Sequence, residues 1–207
     1  MPQSSELAAR LRAATWSAHQ AAAGDAFLKG LLRGEGTVDD FARLASQHLV
    51  VYRALEAAVT ASRSGLLARL HHPALERAAA IESDVAALGG TRPATAATDA
   101  YAEHLASLAG DPVRLAAHHY TRYLGDLSGG QHIGRALTRR FGAHTTSFYR
   151  FAIDDLDAFK QQYRATLDTA GLDHDAERAL LEEAGRAYAA SHAVHASLAV
   201  EAAAVVA

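Results

Sequence analysis

The chain has 207 residues, half of them apolar, which is enough for one well-packed domain and barely enough for two. Its formal net charge is −3, and no block of lysine or arginine stands out, so the charge pattern gives no support to binding of nucleic acid or of an anionic membrane. Cysteine is absent, which excludes disulfides, thiolate metal sites, cysteine nucleophiles and cofactor attachment through thioethers.

The absence of cysteine also fits a reducing cytoplasm. The segment 1–12 lacks the apolar core of a signal peptide, and the apolar run 202–207 is too short to span a bilayer. We therefore expect a soluble cytoplasmic protein without a membrane partner.

The dominant residues are alanine, leucine, arginine and glutamate, which all favour helices, and no set of alternating strands is visible. The sequence predicts an all-α protein with a single domain over residues 1–207. In chain order, the predicted helices lie near residues 5–22, 25–33, 38–62, 74–88, 99–110, 112–141, 154–170 and from 173 onward.

Short sequence signals mark the ends of the first helices. Ser4 or Ser5 is the expected cap of the first helix, and Gly24 is expected to end it. Thr37 with Asp40 resembles a capping box, with Asp in place of the usual Glu, and opens the long third helix.

Aspartates mark the later helix starts. Asp99, Asp154 and Asp173 are the expected caps of three helices, and Asp111 followed by Pro112 is a strong start signal. Residues 89–98 resemble a linker, and residues 144–153 are expected to be irregular.

The helix predicted over 112–141 contains four glycines, at positions 125, 129, 130 and 134. Each costs roughly 1 kcal/mol relative to alanine in a helix interior. Such a cost is tolerated where a ligand lies against the backbone, or where helices pack through small residues, and the glycines alone favour neither explanation. Asp126 shifts the balance toward a ligand, because an unpartnered carboxylate is costly in a tight apolar interface.

Three segments carry a resemblance to a known family. Tyr120–Gln131, with the sequence YTRYLGDLSGGQ, resembles the distal-helix signature of heme oxygenases. Leu11–His19 is similar to the proximal-histidine helix of that family, and Phe148–Phe151 followed by Phe159–Arg164 gives a third match. The matches occur in the family's order and spacing, so the resemblance covers about residues 7–198.

The resemblance implies that His19 is the proximal ligand of the heme iron, a role that suits neutral imidazole. The chain has 12 histidines, and the alternatives considered are His118, two residues before Tyr120, and His132. The family often has a carboxylate four residues after the proximal histidine, but this chain has Ala23 there, so a carbonyl or water would have to hold the free imidazole N–H.

For the distal side, the resemblance implies that Asp126 anchors water that delivers protons, in a network with Arg122 and Tyr52. Alone, Asp126 could equally be solvated or paired with Arg122, and Tyr52 could be a core tyrosine. The remaining distal positions expected to contact the heme are Thr121, Gly125, Ser128 and Gly129.

The heme propionates need cations or hydrogen-bond donors at the mouth of the pocket. The family's propionate-contacting positions correspond to Arg12, Tyr120, Lys160 and Arg164, and they imply opening of the ring at the α-meso carbon. Without the resemblance, Lys160 and Arg164 would be read as one solvated helix face. The last helix departs from the family, since its segment 188–195 has smaller and more polar side chains, which predicts a looser or more polar pocket wall.

The resemblance implies a heme oxygenase that uses heme b and O2 and forms biliverdin, with the IXα isomer expected, together with ferrous iron and carbon monoxide. No flavin or nicotinamide fingerprint is visible, so a separate reductase or ferredoxin would supply electrons. We expect a monomer. Two alternatives stay open: a heme-sequestering protein, and a thiaminase-like or quinone-cofactor enzyme of the same helical fold.

Overall fold

The computed structural model describes residues 6–23, 26–62 and 65–206, and within them the side chains of all residues except 21–23 and 201–206. Every regular element in these ranges is helical, which confirms the all-α prediction. The expected caps Ser4 and Ser5 and the expected helix end at Gly24 lie outside the described residues.

Ten α-helices follow one another in the described ranges: α1 Leu7–Ala23, α2 Ala26–Arg33, α3 Val38–Ala61, α4 Gly65–Leu70, α5 Ala78–Ala87, α6 Ala96–Ser107, α7 Pro112–His119, α8 Gly129–Phe141, α9 Leu156–Asp168 and α10 His174–Val206. Three single 3-10 turns connect some of them: Pro73–Leu75, Ala143–Thr145 and Ser147–Tyr149. A π-helical turn, Tyr120–Leu124, continues directly from α7.

Two helix starts are built as the sequence predicts. The backbone N–H of Thr37 donates to the carboxylate of Asp40, while the N–H of Asp40 donates to the Thr37 hydroxyl, which completes the capping box of α3. The carboxylate of Asp111 accepts the N–H of Arg114, and Pro112 occupies the first position of α7. Each cap satisfies backbone donors that have no partner inside the helix.

Two predicted caps were wrong. Helix α6 begins at Ala96, because the hydroxyl of Thr95 accepts the N–H of Thr98, and Asp99 lies inside the first turn. Helix α9 is capped by Asp155 and not by Asp154. In both cases another residue with a side-chain oxygen takes the cap position.

The helix predicted over 74–88 was also wrong in its first turn, and α4 was not predicted. Arg77 separates the turn Pro73–Leu75 from α5, and its guanidinium donates to the carbonyls of Leu75 and Arg150. This buried arginine therefore joins the segment before α5 to the irregular region 150–155.

The core lies among α3, α6, α7 and α10. Helix α3 packs against α5 and α6, and α10 packs against α1, α6 and α7. Tyr52 and Leu55 of α3, Leu115 of α7 and Leu180 of α10 are fully buried. None of the helices in the described ranges is long and apolar enough to cross a membrane.

The helix predicted over 112–141 is broken into three parts. Helix α7 passes into the π-helical turn, one short α-helical stretch follows at 125–126, and a turn at 127–128 precedes α8. π-Helical turns inserted between α-helices occur often at functional sites. The break lets the backbone around Gly125 and Gly129 run along the surface of a cavity.

Candidate functional site

A cavity of about 530 Å³ lies between α1 and the segment that follows α7, with α9 and α10 contributing to its sides. Its volume falls within the range of about 300–1,000 Å³ that is usual for sites that bind small molecules and cofactors. Eight of the predicted contact residues line it: Arg12, His19, Tyr120, Thr121, Gly125, Ser128, Gly129 and Arg164.

Helix α1 supplies one wall. Arg12, Trp16 and His19 recur at helical spacing, so they share the face that lines the cavity. The rings of Trp16 and His19 stack with centroids 5.7 Å apart and an interplanar angle of 10°, and Tyr188 of α10 meets His19 edge-on at 6.3 Å. The imidazole is thus oriented by two aromatic neighbours at the surface of the cavity.

The segment around Gly125 and Gly129 supplies the facing wall. A Cβ atom added to either glycine would meet no other atom within 4 Å, so both positions open onto free space. The wall therefore presents bare backbone where any other residue would place a side chain. A flat ligand could lie in van der Waals contact with it.

The other two glycines serve packing. A Cβ on Gly134 would lie 2.4 Å from the Cβ of Tyr149, so this position has no room for a side chain. Gly130 is buried next to Asp126. Each explanation of the four glycines therefore applies at different positions. Gly125 and Gly129 border open space that a ligand could occupy, whereas Gly134 allows close packing against Tyr149.

This arrangement fits an iron porphyrin. An imidazole on one wall is a normal axial ligand of heme iron, and the bare backbone opposite leaves room for a planar macrocycle and a small distal ligand. The buried hydroxyl of Thr121 lines the same cavity and has no hydrogen-bond partner among the described residues, so it is available to a bound group or water.

The cavity mouth carries cations. Arg12 and Arg164 both line the cavity, and their charges act on the nearby Tyr120 phenol, although burial dominates and raises its pKa. Lys160 does not line the cavity; its Nζ pairs with Asp157 Oδ1 at 2.7 Å. The structure thus brings together three of the four predicted propionate contacts and leaves Lys160 to one side.

Tyr52, Arg122 and Asp126 form a network behind the glycine wall and do not line the cavity. The Tyr52 hydroxyl donates a hydrogen bond to Asp126 Oδ2, and the Arg122 guanidinium lies 4.7 Å above the Tyr52 ring. The structure thus brings the three residues together in one set of contacts.

Burial raises the pKa of Asp126 to about 6, while Arg122 and the Tyr52 hydroxyl act in the opposite direction. For Arg122, burial opposes the charge, but Tyr52 and Asp126 outweigh it and raise the pKa. A carboxyl group that titrates near neutral pH is suited to exchanging protons with bound water.

Of the α10 segment 188–195, Tyr188 lines the cavity, whereas Ser191 and His195 make polar and ring contacts behind it. Ser191 Oγ accepts a hydrogen bond of 3.3 Å from Arg122 Nη1, and the ring of His195 lies 6.1 Å from that of His48. Burial, together with Arg122 and His195, lowers the pKa of His48 well below its usual value, so His48 is neutral.

The alternative histidine ligands occupy other places. His118 is fully buried and bonds to Tyr101 and Glu183, and His132 is exposed and bonds to Arg135. Neither lines the cavity. Ala23 is the last residue of α1, and its side chain lies outside the described residues.

Sequence reasoning gave no individual role to half of the residues that line the cavity, among them Thr15, Trp16 and Tyr188. Trp16 and Thr15 lie on the helix face that Arg12 and His19 define, so helical spacing alone could have identified them. Tyr188 is far away in the sequence, and only the packing of α10 on α1 brings it to His19.

The chain matches the family model described as heme oxygenase over residues 5–197. It is 33% identical over 193 residues to heme oxygenase 1 of the cyanobacterium Synechocystis, and the aligned region covers 88% of this chain and 80% of that protein. It is also 31% identical to heme oxygenase 1 of Gallus gallus over 198 residues, which covers 89% of this chain and 67% of the relative.

Solved structures are similar over nearly the whole chain. The crystal structure of the Synechocystis heme oxygenase-1 in complex with heme superposes with a TM-score of 0.88 at 30% identity, and covers 97% of each chain. The heme oxygenase structure from Leptospira interrogans superposes with a TM-score of 0.87 at 29% identity, over 93% of this chain and 99% of that one.

Proposed function

The chain is a member of the heme oxygenase family, and we propose that it cleaves heme b oxidatively, with O2 and external electrons, to biliverdin, ferrous iron and carbon monoxide. The observation that carries the proposal is the cavity in which His19 faces the side-chain-free backbone at Gly125 and Gly129. Heme bound there would supply both the iron at which oxygen is reduced and the ring that is oxidised.

His19 would hold the iron from α1, and the stacked Trp16 fixes the plane of the imidazole. Gly125 and Gly129 would let the macrocycle approach the opposite backbone closely. Larger side chains at those positions would fill the space in which oxygen must bind. The absence of side chains at Gly125 and Gly129 therefore creates the space on the distal side of the cavity.

Asp126 would act on protons through water, because its carboxyl lies behind the wall and not in the cavity lining. Its pKa of about 6 allows it to be in either protonation state near neutral pH. Tyr52 fixes one carboxyl oxygen, and Arg122 stabilises the ionised form. Protons delivered by ordered water favour oxidation of the ring itself over use of the heme as a general oxidant.

The propionates would bind the mouth through Arg12, Arg164 and Tyr120. By holding the propionates, these side chains would determine which meso carbon is oxidised, and we propose that the product is biliverdin IXα. We further propose that a separate reductase or ferredoxin supplies the electrons to a monomeric chain. A cytoplasmic location, favoured by the cysteine-free sequence, belongs to the same proposal.

The test is to reconstitute the chain with hemin and to add a reductase with NADPH in air, in the presence of catalase. We expect the Soret band to decay, biliverdin absorption to appear and iron to become available to a ferrous chelator. A heme-sequestering protein would keep the Soret band unchanged through the same treatment. A chain that does not bind hemin would point to another enzyme of this fold.

A further inference from the structure

A second cluster of ligand-type side chains lies outside the cavity. His104 of α6, His118 of α7 and Glu183 of α10 converge, with one potential ligand atom of each within 4.8 Å of the others. None of the three lines the cavity, so the cluster is separate from the proposed heme site.

The three groups point their donor atoms at one place. Nε2 of His104 lies 2.5 Å from Glu183 Oε1, and Nε2 of His118 lies 3.0 Å from the same oxygen. His118 and Glu183 are almost completely buried, while the His104 side chain is 35% exposed. His118 and Glu183 are therefore shielded from solvent, while water can reach the cluster from the side of His104.

The surrounding residues orient the three ligand groups. The hydroxyl of Tyr101 lies 3.1 Å from Nδ1 of His118, so it can accept that N–H and leave Nε2 free as a ligand. Arg186 and Arg114 both approach the other carboxylate oxygen, Oε2, at 3.2 and 3.7 Å. Oε1 is thus the oxygen directed toward the two imidazoles.

We propose that His104, His118 and Glu183 bind a divalent transition-metal ion, with zinc as its best representative. Two imidazoles and one carboxylate with an open fourth position form a known type of zinc site, and the exposed side at His104 can admit water as the fourth ligand. With metal–ligand distances of about 2.0–2.2 Å, tetrahedral neighbours lie about 3.3–3.6 Å apart. The nitrogen–oxygen separations of 2.5 and 3.0 Å would therefore lengthen by roughly 0.3–1.1 Å, which rotations of the side chains can supply.

The ion would connect α6, α7 and α10 at a point close in sequence to the cavity wall. His118 precedes by two residues the π-helical turn residue Tyr120, which lines the cavity wall. Because bound metal favours the folded state, excess zinc should raise the melting temperature of the chain. In the absence of metal, the same atoms form histidine–carboxylate hydrogen bonds, and the experiment distinguishes these two states.

The test is a titration of the metal-free full chain with Zn²⁺ against a chromophoric chelator. His104→Gln removes one ligand but keeps a side-chain N–H that can donate to Glu183. His132→Gln is the matched control, because His132 is exposed and outside the cluster. His19→Ala controls for zinc bound at the proposed heme ligand.

We expect equimolar zinc binding by the wild type, by His132→Gln and by His19→Ala, and binding weaker by a factor on the order of 100 in His104→Gln, since loss of a supporting partner alone costs 10–100-fold. Co²⁺ should give the intense visible bands of a tetrahedral site in the wild type. Equal zinc affinity in His104→Gln, or wild-type protein without tetrahedral Co²⁺ bands, would overturn the proposal. The Co²⁺ result decides even if the variant does not fold.

Discussion

The hydroxyl of Tyr52 donates a hydrogen bond to Asp126 across 74 residues of sequence. This contact joins the middle of α3 to the segment between the π-helical turn and α8, directly behind the glycine wall. It holds a carboxyl group close to the cavity without placing it in the lining. The pair therefore links the core of the fold to the proton chemistry proposed for the site.

The first prediction concerns the pH dependence of stability in the heme-free chain. Burial raises the pKa of Asp126 from 3.8 to about 6, so the folded chain keeps this proton to higher pH than the unfolded chain does. The free energy of unfolding should therefore fall as the pH rises through this window. Asp126→Asn cannot ionise and should be more stable than the wild type above the window, by up to about 2 kcal/mol, because water partly screens a half-buried carboxyl.

Chemical denaturation at several pH values from about 4 to 8 measures this difference. The advantage of Asp126→Asn should vanish at the acid end, where both forms are neutral. If the difference in stability between the wild type and Asp126→Asn did not change with pH, burial would not be raising the pKa of Asp126.

The second prediction uses the difference between Gly125, which borders open space, and Gly134, which is tightly packed. Gly125→Ala adds a methyl group in open space at a helical backbone conformation, so the heme-free chain should fold at least as stably as the wild type. The same methyl would occupy the proposed heme surface and should weaken heme binding by about 1–3 kcal/mol. Thermal denaturation and hemin titration measure the two effects.

Gly134→Ala is the matched control. Its methyl group would collide with Tyr149, so this variant should lose stability although position 134 does not line the cavity. If both variants lost stability to the same extent and Gly125→Ala bound hemin normally, the glycine wall would have no role in binding.

The third prediction concerns the iron ligand. His19→Ala should lose the absorption spectrum of histidine-ligated heme and most of its turnover, and added imidazole should restore both by entering the vacated space. His132→Ala, a change at an exposed histidine outside the cavity, should behave as the wild type. A histidine-ligated spectrum that persists in His19→Ala would assign the ligand to another residue.

The fourth prediction compares two cations four residues apart on α9. Arg164 lines the cavity, whereas Lys160 is paired with Asp157. Arg164→Ala should therefore weaken heme binding more than Lys160→Ala and should broaden the mixture of biliverdin isomers, because the propionates would be held less firmly. Chromatography of the products measures the mixture. Equal effects of the two substitutions would contradict the placement of Lys160 away from the mouth.

Local signals in the sequence were sufficient for much of the fold. The capping box at Thr37 and Asp40 and the start at Asp111 depend on residues three positions apart, so they can be recognised without tertiary structure. The cap at Thr95 was missed in favour of Asp99, because several residues with capping ability compete and packing decides between them.

Local sequence likewise predicted some features of the site and not others. His19 and Arg12 share a helix face, and the glycines stand in one short segment, so helical spacing and the family resemblance together placed them. The π-helical turn and the approach of Tyr188 to His19 depend on how α10 packs, which local sequence does not specify. The pairing of Lys160 with Asp157 also escaped prediction, because the choice between a propionate and a neighbouring carboxylate depends on side-chain geometry.

The most direct test of the central claim is the amount of carbon monoxide released per heme consumed in a single turnover of the reconstituted chain. We expect equimolar carbon monoxide and biliverdin from the wild type, and much less of both from Asp126→Ala, although that variant still binds hemin. Loss of heme without carbon monoxide, or heme that survives the reaction intact, would contradict the account.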